Sequence, residues 1–243
     1  MPRVKASAEK ALQLDNTLAE AHCSLGVVLT NFWFNWTDGN NELRRAIALN
    51  PNYAYAHDQY GYNLAQLEHF DQALAENMRA VELDPLSPEI RSTLVFTLAV
   101  QGHYESAIGE ARRGLPLMLA WTEIQAGKFK QAIPDLQKAR STTPAAQVIG
   151  FLGYAYAASG DRTNASAVLD ELRHESAHRF VSPLCAAIVY LGLGDRQHAM
   201  EGLEGAYQVH DAWLTTLRVD RIYDPLRSDP RFIKLLQKVG LSN

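Results

Sequence analysis

His174, Glu175 and His178 stand in the order H-E-x-x-H within LRHESAHRF, residues 172–180. On a helix that spacing brings two imidazoles one turn apart on one face. There they could share a Zn²⁺, with the glutamate beside them as general base. The chemistry also needs the motif well inside a helix, a cleft around it and a third ligand from elsewhere. Pro183 follows five residues after His178, so the chain is about to leave any helix here. Glu201 and Glu204 are the downstream third-ligand candidates, and both fall on the next element. The expectation is therefore a solvated turn with no metal, no cofactor and no catalysis, and a zinc metallohydrolase is the competing reading.

Composition narrows the classes further. Of 243 residues, 47% are hydrophobic and 21% charged, an ordinary globular balance with enough apolar material for a core. Lys and Arg total 23 against 27 Asp and Glu, a formal charge of −4, and no basic run exceeds a doublet such as Arg112-Arg113. A nucleic-acid surface gains affinity from counterion release along a basic stripe, so nucleic acid is not an expected partner. The opening MPRVKASAEKALQLD is charged and amphipathic, and the longest apolar stretch, LCAAIVYLGLG, is far short of the roughly 18 residues a membrane span needs. Cys23 and Cys185 are too few for a disulfide framework. A reducing cytoplasmic setting and no membrane partner are expected.

The elements that must position any site repeat themselves. Gly39, Ala73, Ala107, Ala132, Ala165 and Ala199 follow at intervals of 34, 34, 25, 33 and 34 residues. Ala80, Gly114, Ala139, Leu172 and Ala206 form a second series seven places later. SLG at 24–26, QYG at 59–61 and FLG at 151–153 hold equivalent places, and LNPN, LDPL and TTPA punctuate the ends. Each unit reads as two helices. In residues 54–87, apolar or small residues at 56, 60, 61 and 64 form one stripe, and Phe70, Ala73, Leu74, Met78, Ala80 and Val81 form another. Small residues recur because helices crossing at close range leave no room for a large side chain. Ser87-Pro88 and Ser182-Pro183 offer N-caps followed by proline at the first helical position. Gly102, Gly127, Gly160 and Gly194 fall between first and second helices, where a tight turn calls for positive φ.

This pattern of aromatic, Leu-Gly, Tyr, Ala, aromatic, Ala and Pro over about 19–212 resembles the tetratricopeptide-repeat family, most clearly at Tyr60-Gly61, Phe70, Ala73, Ala80 and Pro85. The resemblance implies an all-α superhelix of about six helix-turn-helix repeats in one domain over 1–243. A half-repeat at 1–18 precedes repeats at 19–53, 54–87, 88–115, 116–145, 146–179 and 180–212, and a C-terminal cap occupies 213–243. Where the family has its first aromatic, this chain has His22 and His57, read as packing histidines. An extra residue lies within NFWFNWTDG. Gly114 to Leu119 spans five residues where the pattern expects fourteen, which removes the usual inter-helix turn and leaves Pro116 to make or interrupt a compact junction. VKASAEKALQLDN reads as a second helix without its first, which leaves an apolar face unpartnered. Asp229-Pro230 opens a capping helix with Phe232, Leu235, Leu236 and Val239 at helical spacing before Gly240. The closing YDPLRSDPRFIKLLQKVGL also resembles the end of tetratricopeptide regions in multidomain bacterial regulators, which implies an effector domain N-terminal to this stretch.

A solenoid of this kind lines its concave side with first helices. The resemblance puts the ninth inward place at Val27, Tyr62, Phe96, Trp121, Tyr154 and Ile188, with Tyr55, Asp58, Gln59, Gln66, Ser92 and Thr93 around them. One reading is an aromatic groove for an extended peptide or a partner helix, because rigid rings bury large area at low entropic cost. The other is that the rings pack on the neighbouring repeat and are interior. The cationic clamp by which related repeats hold a C-terminal carboxylate is replaced by Cys23, Val27, Asp58, Gln59 and Tyr62, so chaperone-tail binding is not expected. Phe32, Trp33, Phe34 and Trp36 could dock a preceding domain or seal the enlarged turn against the half-repeat. The alternating Arg218, Asp220, Arg221, Asp224, Arg227 and Asp229 read as a solvated face with local ion pairs.

These readings converge on a non-catalytic protein-interaction scaffold in the regulatory part of a larger bacterial protein. It would take a protein or peptide partner through Tyr55, Asp58, Gln59, Tyr62, Gln66, Ser92, Phe96, Trp121 and Tyr154. The alternative is a small-molecule sensor coupled to a transcription-regulator, cyclase or kinase effector domain.

Overall fold

The computed structural model describes residues 2–142 and 145–242. The end mark expected at Thr143-Pro144 lies outside them. The chain divides into two compact units. The first comprises Met1–Gln101 with Thr215–Val219 and Leu236–Asn243, and the second Gly102–Leu214 with Asp220–Leu235.

The first unit contains α1 (Pro2–Leu14), α2 (Ala19–Trp33), α3 (Trp36–Leu49), α4 (Ala54–Gln66), α5 (Phe70–Leu83) and α6 (Pro88–Val100). The second contains α7 (Tyr104–Ala111), α8 (Pro116–Gln125), α9 (Phe129–Thr142), α10 (Ala146–Ala158), α11 (Arg162–Ser176), α12 (Pro183–Leu193) and α13 (Arg196–Gln208). Two 3₁₀ turns, Ala212–Thr216 and Arg221–Leu226, and a last helix, α14 (Pro230–Lys238), follow. Within each unit a first helix packs on its own second helix and on the next first helix, as α4 does on α5 and α6, and α10 on α11 and α12. That layout is the helix-pair solenoid expected from the periodicity.

The local signals act as their chemistry requires. Ser87 and Ser182 accept from the main-chain N–H of Ile90 and Leu184, with Pro88 and Pro183 opening α6 and α12. Gly102 and Gly194 turn the chain at φ of 84° and 79°, a region that costs a side chain 1–2 kcal/mol or so. Ala73, Ala107, Ala132, Ala165 and Ala199 are wholly buried at helix crossings. Where α2 crosses α3, a Cβ on Gly26 would come 2.8 Å from the main-chain oxygen of Gly39.

The shortened junction differs from the expectation. The turn is present at residues 112–115, with Gly114 at φ 115°. The missing residues come out of the helices on either side, since α7 has 8 residues against 14 in the equivalent second helix α5, and α8 has 10 against 13 in the first helix α10. Pro116 sits at the start of α8, where its absent N–H leaves no bond unmade.

Candidate interaction surface

On α4, Tyr55, Asp58, Gln59, Tyr62 and Gln66 recur at helical spacing and share one stripe. α6 packs on α4 and brings Ser92 and Phe96 alongside. The Tyr62 and Phe96 rings meet with centroids 4.9 Å apart and planes tilted by 59°. Tyr55, Gln59, Tyr62 and Ser92 are half-buried, whereas Asp58 and Gln66 are 0% exposed.

The polar atoms of the stripe are incompletely bonded. Asp58 Oδ2 accepts from Gln59 Nε2 at 2.9 Å, and its Oδ1 is buried with no partner. Gln66 donates to the Tyr62 carbonyl at 3.2 Å and leaves its own buried Oε1 unbonded. An orphaned buried acceptor costs about 1–3 kcal/mol, so two on one stripe are a standing demand for donors. Burial raises the Asp58 carboxyl to about 7; hydrogen bonds from Thr93 and Gln59 oppose the rise and the Glu89 carboxylate adds to it. Burial, with Glu89 nearby, likewise lifts the Tyr55 phenol to about 12.

Polar ties invisible in the repeat pattern hold the stripe in place. Asn77 on α5 donates to the Asp58 main-chain oxygen at 3.4 Å and accepts from Thr97 Oγ1 on α6 at 2.6 Å, which joins three helices through one buried side chain. The histidines expected as packing groups are bonded at both nitrogens. His57 Nδ1 lies 2.5 Å from Glu76 Oε2 and Nε2 3.0 Å from the Pro51 carbonyl. His22 repeats the device with Glu42 at 2.5 Å and the Asn16 carbonyl at 3.1 Å.

In the second unit the chain's own last segment occupies the first-helix face. Trp121 is 3% exposed and donates its indole N–H to Asp220 Oδ2 at 3.2 Å. Gln125, one turn along α8, donates to Asp220 Oδ1 at 2.7 Å, accepts from the Arg221 main-chain N–H at 3.1 Å, and offers its carbonyl to the Arg221 guanidinium at 3.1 Å. The 3₁₀ turn Arg221–Leu226 packs on α12, with Ile222, Tyr223 and Leu226 buried. Tyr154 lines a small cavity of ≈ 170 Å³ together with Arg221, Ile222 and Asp224. Trp121 and Tyr154 are thus brought together with residues 220–226. Asp220, expected on a solvated face, is 2% exposed, and burial raises its carboxyl despite bonds from Ile222 N–H, Gln125 and Trp121. The signal for this was present: Val219, Ile222, Tyr223 and Leu226 stand at helical spacing among the charges. Arg227 and Asp224 of that run do form an exposed local pair, at 2.7 Å.

The NFWFNW patch divides its work within the first unit. Phe32 packs with Leu12 and Ala8 of the half-repeat. Trp36 donates its indole N–H to the Val239 carbonyl at 2.7 Å, so it holds the chain's own end. Arg218 does the same from the other side, on Glu68 at 2.7 Å and on the Leu241 carbonyl at 3.3 Å.

The H-E-x-x-H motif lies at a helix end. α11 stops at Ser176 and His178 falls in the following turn, its ring 4.7 Å from that of His174. Glu175 is engaged by Arg179 at 2.5 Å, which holds its carboxyl below the usual range. Among the described residues no third His, Cys, Asp or Glu gathers with these two imidazoles. Cys23 and Cys185 are free and buried, each thiol pushed up to about 12 by burial. No helix among the described residues is long and apolar enough to cross a membrane.

No family model and no curated protein sequence matches this chain. Among solved structures, a tetratricopeptide repeat protein from Parabacteroides merdae is similar over 78% of this chain and 76% of its own, with 16% identity and a TM-score of 0.63. The human IFIT1 dimer with m7Gppp-AAAA is similar over 91% of this chain and 58% of its own, with 18% identity and a TM-score of 0.53.

Proposed function

We propose that this chain, which has the tetratricopeptide-repeat fold, is a non-catalytic scaffold that holds an extended peptide or partner segment on the α4/α6 face of its first unit. Tyr62 and Phe96 supply the aromatic floor, and Tyr55, Gln59 and Ser92 the accessible polar contacts. Asp58 and Gln66 are wholly buried and support the stripe from beneath. The observation that carries this reading is the tilted Tyr62–Phe96 ring pair, flanked on the same face by the half-buried Tyr55, Gln59 and Ser92. The partner chemistry it favours is a segment with an apolar side chain to cover Tyr62 and polar groups beside it for Tyr55, Gln59 and Ser92. Trp121 and Tyr154 serve the chain's own segment in this account and are not partner contacts.

The setting follows from weaker support. The charge balance and thiol content suit a cytoplasmic protein, and the resemblance of the closing segment to the ends of bacterial regulators suits a regulatory part of a longer chain. Selection of a phage-displayed dodecapeptide library on the purified chain tests the reading. The expected result is enrichment of peptides whose binding is lost on Tyr62→Ala and weakened on Gln59→Ala, yet kept on Trp121→Phe. A library that fails to enrich, or peptides indifferent to Tyr62→Ala, would overturn it.

A further inference from the structure

The small cavity of the second unit gathers polar atoms that the fold does not use. Its ≈ 170 Å³ are lined by Tyr154 of α10, by Phe129 at the start of α9, and by Arg221, Ile222 and Asp224 of one 3₁₀ turn. Residues three apart eclipse one another in such a turn, so Arg221 and Asp224 lie on one side of it. Nη1 fixes the Arg221 guanidinium by donating to Tyr104 Oη at 3.0 Å and to the Gln125 carbonyl at 3.1 Å. Its Nη2 donates to no described residue. Asp224 Oδ1 accepts from Arg227 at 2.7 Å, while Oδ2 stands 3.7 Å from Arg221 Nε, too far for a hydrogen bond. The Tyr154 ring is braced by Phe129, with centroids 6.0 Å apart and planes at 76°, and its phenol oxygen bonds to no described residue. Burial, with Asp220 and Asp224 nearby, lifts that phenol to about 12, so it stays protonated and can donate.

We propose that this cavity binds a small zwitterionic α-amino acid, whose carboxylate takes Arg221 Nη2 and the Tyr154 phenol and whose ammonium takes Asp224 Oδ2. The volume sets the size. A cavity of about 150 Å³ holds benzene, so this one suits about six to eight heavy atoms, the range from alanine to proline and valine. The charges set the class. A plain carboxylic acid would bring an anion beside Asp224 with nothing to answer that carboxylate, and a plain amine would leave the Arg221 and Tyr154 donors unanswered. A zwitterion answers both. Asp220 takes no part, because it is committed to Trp121, Gln125 and the Ile222 N–H. Phe129 and Ile222 offer apolar surface to the side chain. The site uses no residue of the α4/α6 face, and Tyr154, which holds no peptide there, acquires a ligand of its own.

Thermal unfolding of the 243-residue chain with glycine, alanine, serine, threonine, proline or valine, each at about 10 mM, tests this, because a ligand of the folded state alone raises the midpoint by mass action. The expected result is a rise with at least one of the six, and none with its des-amino acid or its decarboxylated amine. Tyr154→Phe removes one oxygen that bonds to nothing in the fold, so it should keep the parental midpoint without ligand and weaken the amino acid by about tenfold. Asp224→Asn loses only an exposed ion pair and should weaken the amino acid by a similar factor. Hydrogen–deuterium exchange along Arg221–Leu226 should slow when the amino acid is bound. No rise with any of the six, an equal rise with the des-amino acid, or a Tyr154→Phe variant that binds as the parent does would overturn the proposal.

Discussion

The indole N–H of Trp36 meets the main-chain oxygen of Val239 at 2.7 Å, a buried bond between residues 203 positions apart. Gly240 follows at φ 69°, and a Cβ there would fall 2.8 Å from Trp36 Cδ1 and 3.0 Å from the Phe34 oxygen. The first unit is therefore closed by a clasp that accepts one side chain and one backbone conformation. Trp36→Phe keeps most of the packing but orphans the Val239 oxygen, a loss of about 1–3 kcal/mol. Gly240→Ala adds strain and a collision and should cost at least as much. Both should lower the melting midpoint by several degrees; calorimetry that finds either variant unchanged would remove the clasp from the account.

Asp58 gives stability a pH dependence of definite sign. Its carboxyl ionises near 3.8 in an open chain and near 7 when folded, so unfolding in that window releases a proton. The contribution is fully present in acid and is lost as pH rises from about 4 to about 7, and the whole span is on the order of 4 kcal/mol. Asp58→Asn should flatten that slope, as read by denaturant midpoints at pH 5 and pH 8. A parental protein equally stable at both, or a variant with the parental slope, would contradict it.

The His57–Glu76 bond joins α4 to α5 with the histidine also tied to the Pro51 carbonyl. His57→Ala and Glu76→Ala should each destabilise by about 1–2 kcal/mol, and the double variant should lose clearly less than the sum because the two share one interaction. Additive losses in the double-mutant cycle would show that the pair packs without coupling.

Zinc should not bind stoichiometrically at His174 and His178, because the helix ends between them and Glu175 is committed to Arg179. Metal analysis of purified protein should find no bound equivalent. One equivalent of zinc, lost on His178→Ala, would reopen the hydrolase reading.

What the sequence made legible was local. The alanine series, the Ser-Pro caps at Ser87 and Ser182 and the glycine turns each act within one turn of helix, so spacing alone exposes them. The stripe Tyr55, Asp58, Tyr62, Gln66 came instead from the resemblance to the repeat family, which names the inward places of a first helix. Partners far along the chain were not: Trp121 meets Asp220 across 99 positions, and no period links them. Nor could spacing say where the residues lost before Pro116 had gone, since a period reports a total length and α7 and α8 share the loss. The histidine latches were hidden because the family's aromatic place was filled by a residue that packs and bonds at once.

The most direct test of the account is hydrogen–deuterium exchange of the chain with and without a library-selected peptide. Recognition on the first unit predicts slowed exchange along Ala54–Gln66 and Pro88–Val100, with Arg221–Leu226 unchanged. Slowing along Pro116–Gln125 and Ala146–Ala158, with exchange at Arg221–Leu226 accelerated as that segment is displaced, would contradict it and move the binding surface to the second unit.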